Sequence, residues 1–112
     1  MKEPRTIKAD IILTPELYTR YGRYDTGTRR DCNRSPIARA IYYWLRQHTT
    51  IAFTMVLDDD DSIDVIHRSF LRTKYRAKIP EGLRGSVDKK FKLVFRMTKE
   101  ERELYGAPSG GW

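Results

Sequence analysis

The chain has 112 residues, with 22 Lys+Arg against 15 Asp+Glu and a net charge of +7. That length suits one domain around one modest core. With 39 % hydrophobic residues, a single cysteine and no long apolar run, the composition excludes a disordered tail, a disulfide scaffold, a collagen-like repeat and a membrane span.

Ile7 to Leu13 predicts a short strand. Thr14-Pro15 then offers a capping hydroxyl and a residue suited to the first helical position, so a short helix follows and stops at Gly22. Gly22 to Arg34 holds Arg23, Arg29, Arg30 and Arg34, two glycines and no apolar periodicity, and reads as a loop. Ser35-Pro36 repeats the cap-then-proline signal. Ile37, Ala40, Ile41, Trp44, Leu45 and His48 then recur at one-face spacing, which predicts the principal helix at about 36–47 with Arg39, Tyr42 and Arg46 on its far side.

Thr49 to Leu57, rich in β-branched and aromatic residues, predicts a strand. Four like charges from Asp58 to Asp61 predict a turn. Ser62 to Ile79 returns as one long strand or two, with the break near Phe70. Pro80 to Lys89 reads as a short helix carrying Leu83 and Val87, although Gly82 and Gly85 each cost about 1 kcal/mol there. Phe91 to Met97 is a further strand, and Thr98 with Glu101 matches a capping box that opens a last helix ending near Gly106. Residues 107–112 read as a flexible tail. The expected order is β-α-α-β-β-β-α-β-α. The expected fold class is α+β, a single two-layer domain over 1–106, with a mainly antiparallel sheet of three to five strands and the principal helix on one face.

The positive charge is concentrated. Between Leu71 and Ile79, Arg72, Lys74, Arg76 and Lys78 alternate with Leu71, Thr73, Tyr75, Ala77 and Ile79, and period two puts the cations on one strand face. In the last strand Lys90, Lys92 and Arg96 share a face with Val94, opposite Phe91, Leu93, Phe95 and Met97. From Arg68 to Arg96 ten Lys+Arg face two acids, a net +8 in 29 residues. Alternate strand residues are about 6.8 Å apart, close to the spacing of successive phosphates along an extended single strand. Arg72, Lys74, Arg76, Lys78, Lys90, Lys92 and Arg96 are therefore the candidate anion-binding residues. The pattern predicts salt-sensitive binding that charge reversal at Arg72 and Arg76 abolishes without unfolding the chain. The same composition also suits an ordinary solvated sheet face.

Other chemistry is sparse. Asp58–Asp61 with Asp64 offers oxygen ligands, but the calcium-loop spacing is missing and adjacent strand residues point to opposite sides, so a solvated acidic turn is expected. Cys32 lies near a helix start beside Arg30 and Arg34, yet His48 and His67 have no spacing that pairs them with it as a base. No catalytic site, metal or cofactor is expected. Tyr42, Tyr43 and Trp44 are consecutive, so at least one ring must face away from the core. Tyr42 and Tyr43, with Arg23, Tyr24, Arg29 and Arg30 of the loop, form a second candidate contact set. The charged N-terminus lacks a signal-peptide pattern, which points to the cytoplasm, that of a host cell included.

The stretch Asp31-Cys32-Asn33-Arg34-Ser35-Pro36-Ile37-Ala38-Arg39-Ala40-Ile41 resembles a D-C-x-x-C-P-[IV]-A-x-A helix start of small uncharacterised bacteriophage proteins. Ile11–Leu17, Ile79-Pro80-Glu81 and Phe91–Phe95 follow the same order, so the resemblance spans roughly residues 10 to 97. It departs at Ser35, where the pattern often has a second Cys, which removes a C-x-x-C role. The resemblance implies a virus-encoded accessory protein and transfers no functional residues. The expected function is a non-catalytic binder of nucleic acid or of a host or defence nucleoprotein complex through the basic sheet face. The alternative is an inhibitor or adaptor that contacts a host protein through the 22–34 loop and the helix aromatics.

Overall fold

The computed structural model describes residues 3–21, 35–59, 61–66 and 72–106. The expected loop at 22–34, the expected strand break near Phe70 and the expected tail at 107–112 lie outside the described residues. The elements are β1 (Thr6–Ile12), α1 (Pro15–Tyr21), α2 (Pro36–His48), β2 (Met55–Asp58), β3 (Ser62–Ile66), β4 (Thr73–Lys78), β5 (Lys90–Met97) and α3 (Lys99–Gly106). The strands form one antiparallel sheet in the order β1-β5-β4-β3-β2. The first strand thus joins the far side of a four-strand meander, and β1 and β2 become the two edges. α2 packs against both edge strands on one face, giving the two-layer α+β architecture.

Register explains which face is buried. Ile7 opposes Phe95, Ala9 opposes Leu93, Tyr75 opposes Met97 and Val65, and Val56 opposes Val65. Residues directly opposite share a face, so these side chains form one apolar surface. α2 closes it with Ile37, Ala38, Ile41 and Leu45, each fully buried. The buried stripe is therefore rotated from the one-face pattern in the sequence. Ala40 and Trp44 are only half-buried, and His48 is exposed with its ring stacked 4.5 Å from that of Trp44. Ala38 is fully buried while Ala40 is not, so packing against the sheet decides the rotation.

Ser35 caps α2 by accepting from the Ala38 N–H at 3.1 Å, and Pro36 occupies the first turn. Thr49 closes the helix by donating its hydroxyl to the Leu45 carbonyl at 2.7 Å. From there to Thr54 the chain is irregular and the strand of β-branched residues begins only at Met55, because Ile51 and Phe53 are buried by tertiary packing and not in a ladder. The expected helix at 80–89 is absent. Leu83 N–H bonds Pro80 O and Ser86 N–H bonds Leu83 O, each closing a turn whose third residue is a glycine with φ of +84° or +81°. Positive φ suits glycine and breaks a helix. The shared corner of the two turns drives Leu83 into the core.

Asp58 is not part of a solvated acidic turn. Its carboxylate is buried, accepting from Ser35 Oγ at 2.9 Å and from Arg84 at 2.6 and 3.2 Å. One polar cluster thus joins the α2 cap, the end of β2 and the tandem turns.

Candidate nucleic-acid interface

The basic alternation is realised on β5. Lys90, Lys92 and Arg96 are exposed, while Leu93, Phe95 and Met97 are buried beneath them. β1 lies alongside, with Lys8 opposite Val94 and Asp10 opposite Lys92. Lys8, Lys90, Lys92 and Arg96 have no ion-pair partner among the described residues, and Asp10 is the acid interleaved with them. The outer face of the β1–β5 pair is therefore positive and solvated.

β4 departs from this pattern. Val65 opposes Tyr75 and Ile66 opposes Thr73, which leaves Lys74 as the extra residue of a β-bulge. Lys74 and Tyr75 are consequently buried in succession. Lys74, expected on the exposed plate, is instead 1 % exposed, and its ammonium donates to the Ala52 carbonyl at 2.9 Å and pairs with Glu3. Glu101, buried at the start of α3, lies 4.0 Å away. Beyond the bulge the parity reverses. Thr73 joins Arg76 on Asp64, donating its hydroxyl at 3.4 Å. Arg72 turns to Glu101, donating from Nε and Nη2 at 3.0 and 2.8 Å. The expected capping residue Glu101 is thus taken up by β4, while its own N–H is accepted by Thr98 Oγ1 at 3.3 Å.

Arg76 remains on the outer face, more than half exposed, but it holds Asp64 through two bonds of 2.9 and 3.2 Å. Those bonds raise its pKa above the ordinary arginine value. The pairing also matters across the sheet. Arg76 lies directly opposite Arg96, a like-charge contact that would be destabilising if Asp64 did not neutralise one member. Lys78 is exposed and borders a hollow of about 600 Å³ that Asp61, Glu81 and Arg84 also line. Of the seven candidate anion-binding residues the structure gathers Lys90, Lys92 and Arg96, adds Lys8 from β1, and takes Arg72, Lys74 and Arg76 into internal pairs. Reversal at Arg72 would place a new carboxylate beside buried Glu101, so that variant reports on stability as well as on binding.

The second candidate set is split. Arg23, Tyr24, Arg29 and Arg30 lie outside the described residues. Tyr42 is half-buried, edge-on to Phe53 at 5.4 Å, with Arg46 donating to its hydroxyl at 3.2 Å. Tyr43 is 45 % exposed. A hydrogen bond between the Tyr21 and Tyr43 hydroxyls lowers the pKa of Tyr21 and raises that of Tyr43, and the Arg39 guanidinium sits 5.2 to 5.7 Å from the rings of Tyr21, Tyr42 and Tyr43. Arg39 Nε is buried without a hydrogen-bond acceptor, and the three ring faces supply its favourable contacts.

Asp58 and Asp64 cannot share a cation. Asp58 opposes Ile63 on the core side of the sheet, whereas Asp64 opposes Arg76 on the outer side. Among the described residues no group of three or more His, Cys, Asp or Glu is arranged to hold a metal, and no helix is long and apolar enough to cross a membrane. No protein-family model, curated protein or solved structure matches the chain.

Proposed function

We propose that this protein is a non-catalytic binder of nucleic acid, alone or within a nucleoprotein complex, and that the outer face of β1 and β5 makes the contact. The observation that carries this reading is the contrast in pairing: Lys90, Lys92 and Arg96 of β5 stand exposed without ion pairs among the described residues, whereas Arg72, Lys74 and Arg76 each hold a carboxylate. Lys90 and Lys92 are separated by about 6.8 Å along the strand, so they meet neighbouring phosphates of an extended strand. Arg96 continues the row and adds a planar, bidentate donor suited to phosphate. The resemblance of residues 10–97 to small bacteriophage proteins supports a setting in an infected bacterium, with a host or defence complex as the source of the polyanion.

Fluorescence anisotropy with labelled single- and double-stranded DNA and RNA tests this. About three phosphate contacts, from Lys90, Lys92 and Arg96, predict an affinity loss of roughly 20- to 40-fold between about 50 and about 200 mM salt. The triple variant Lys90→Glu/Lys92→Glu/Arg96→Glu is expected to lose binding while keeping its thermal transition. Wild-type affinity in that variant, or binding indifferent to salt, overturns the reading.

A further inference from the structure

The β1 edge carries a self-complementary pattern. Met97 N–H bonds Arg5 O, one step beyond the Thr6–Arg96 pair at which the β1–β5 register begins. In an antiparallel ladder hydrogen-bonded pairs alternate, so residues 7, 9 and 11 turn their backbone groups towards β5. Thr6, Lys8, Asp10 and Ile12 therefore turn theirs outward, and no hydrogen bond among the described residues reaches them. Unpaired edges of this kind are normally covered, bulged or short. This one is seven residues long and regular.

We infer that β1 pairs antiparallel with β1 of a second copy about a two-fold axis at Ala9, joining two sheets into one of ten strands. Charge complementarity selects this occupant. About Ala9 the sequence Thr6-Ile7-Lys8-Ala9-Asp10-Ile11-Ile12 sets Lys8 opposite Asp10 of the second copy, and Asp10 opposite its Lys8. The register places those outward-bonding residues in hydrogen-bonded pairs, as the ladder requires. Ala9 meets its own copy at the non-bonded pair, where side chains approach closest, and a methyl group fits there. Thr6 meets Ile12, which is 42 % exposed in the single chain. The helix layer agrees. A groove of about 280 Å³ runs along this edge between β1 and α2, lined by Ile12, Leu17, Ala40, Tyr43, Trp44 and Gln47 among others. Ala40, Tyr43, Trp44 and Gln47 form an i, i+3, i+4, i+7 row beside the Asp10–Ile12 end of that edge. The axis is perpendicular to the sheet, which leaves both outer faces on one side, and the two β5 strands lie about 14 Å apart.

Sedimentation equilibrium without nucleic acid, from micromolar to near-millimolar protein, tests the pairing independently of the proposed function. A monomer–dimer equilibrium is expected. Lys8→Asp alone, or Asp10→Lys alone, converts two attractive pairs into two repulsive ones and weakens the dimer by about tenfold or more. The double variant Lys8→Asp/Asp10→Lys restores the opposite charges and the wild-type association. In the wild-type chain the amide protons of Lys8 and Asp10 exchange more slowly as concentration rises. A monomer at every concentration, a dimer insensitive to the single swaps, or no rescue in the double variant overturns the inference.

Discussion

β4 and β5 are neighbours with nearly the same sequence pattern and opposite electrostatic fates. Each alternates cations with apolar residues, and their contact in the sheet brings Arg76 opposite Arg96. On β5 the alternation is uninterrupted, the cations reach water, and none forms an ion pair among the described residues, with Asp10 of β1 the one acid set opposite them, across from Lys92. On β4 one extra residue turns Lys74 inward and reverses the parity before it, so Arg72 and Lys74 meet Glu101 and Glu3 while Arg76 is held by Asp64. A basic strand is therefore a surface only where its register is regular and no acid is packed against it. β4 spends its charge on joining the N-terminal segment, the Ala52 carbonyl and α3, whereas β5 keeps its charge exposed.

The contrast should appear first in stability. Lys74→Met leaves Glu101 buried with one cation fewer, and urea unfolding is expected to show a loss of about 3 kcal/mol, the scale for removing one partner of a buried pair. A loss below about 1 kcal/mol would mean that the cluster is solvated and that β4 does not differ from β5. In binding, the Lys90→Glu/Lys92→Glu/Arg96→Glu variant is expected to lose more than about 100-fold affinity at low salt with a stability change within about 1 kcal/mol.

Asp64→Asn sharpens the comparison in the opposite direction. It frees Arg76 on the outer face, and because that pair is partly exposed its loss should cost less than about 1 kcal/mol. Affinity for a polyanion is then expected to rise severalfold, with the salt slope steeper by about 1, as anisotropy titrations at several salt concentrations would show. The smallest effect belongs to Lys92→Gln, which should lower the same slope by about 1 and change the unfolding midpoint hardly at all. If Lys92→Gln and Asp64→Asn move the slope in the same direction, the division between the two strands is not the one that governs binding.

Much of the framework was readable without coordinates. The cap-and-proline pairs at Thr14-Pro15 and Ser35-Pro36 start α1 and α2, Thr98 opens α3, and the period-two segments at Thr6–Ile12 and Lys90–Met97 are strands. Capping chemistry and side-chain period are local properties, so local sequence suffices. The tandem turns at 80–86 were harder, since Leu83 and Val87 mimic helical spacing, but the two glycines at the third turn positions carried the signal.

The candidate site was readable only in half. Sequence showed that cations share one face of a strand. It could not show the bulge at Lys74, because a bulge is a mismatch between two strands and exists only once β3 is paired with β4. Nor could it show that Asp64 stands across from Arg76, or that Asp58 is buried under Arg84, since those partners are 12 and 26 residues apart in the chain.

What the sequence determined by itself is an α+β chain of three to five strands and a principal capped helix, with an excess of positive charge between Arg68 and Arg96. Which of those charges remain available was decided by tertiary structure. Desolvating a cation is tolerable only beside a carboxylate, and whether a carboxylate arrives depends on strand register and on where Glu3, Asp64 and Glu101 are brought by the fold.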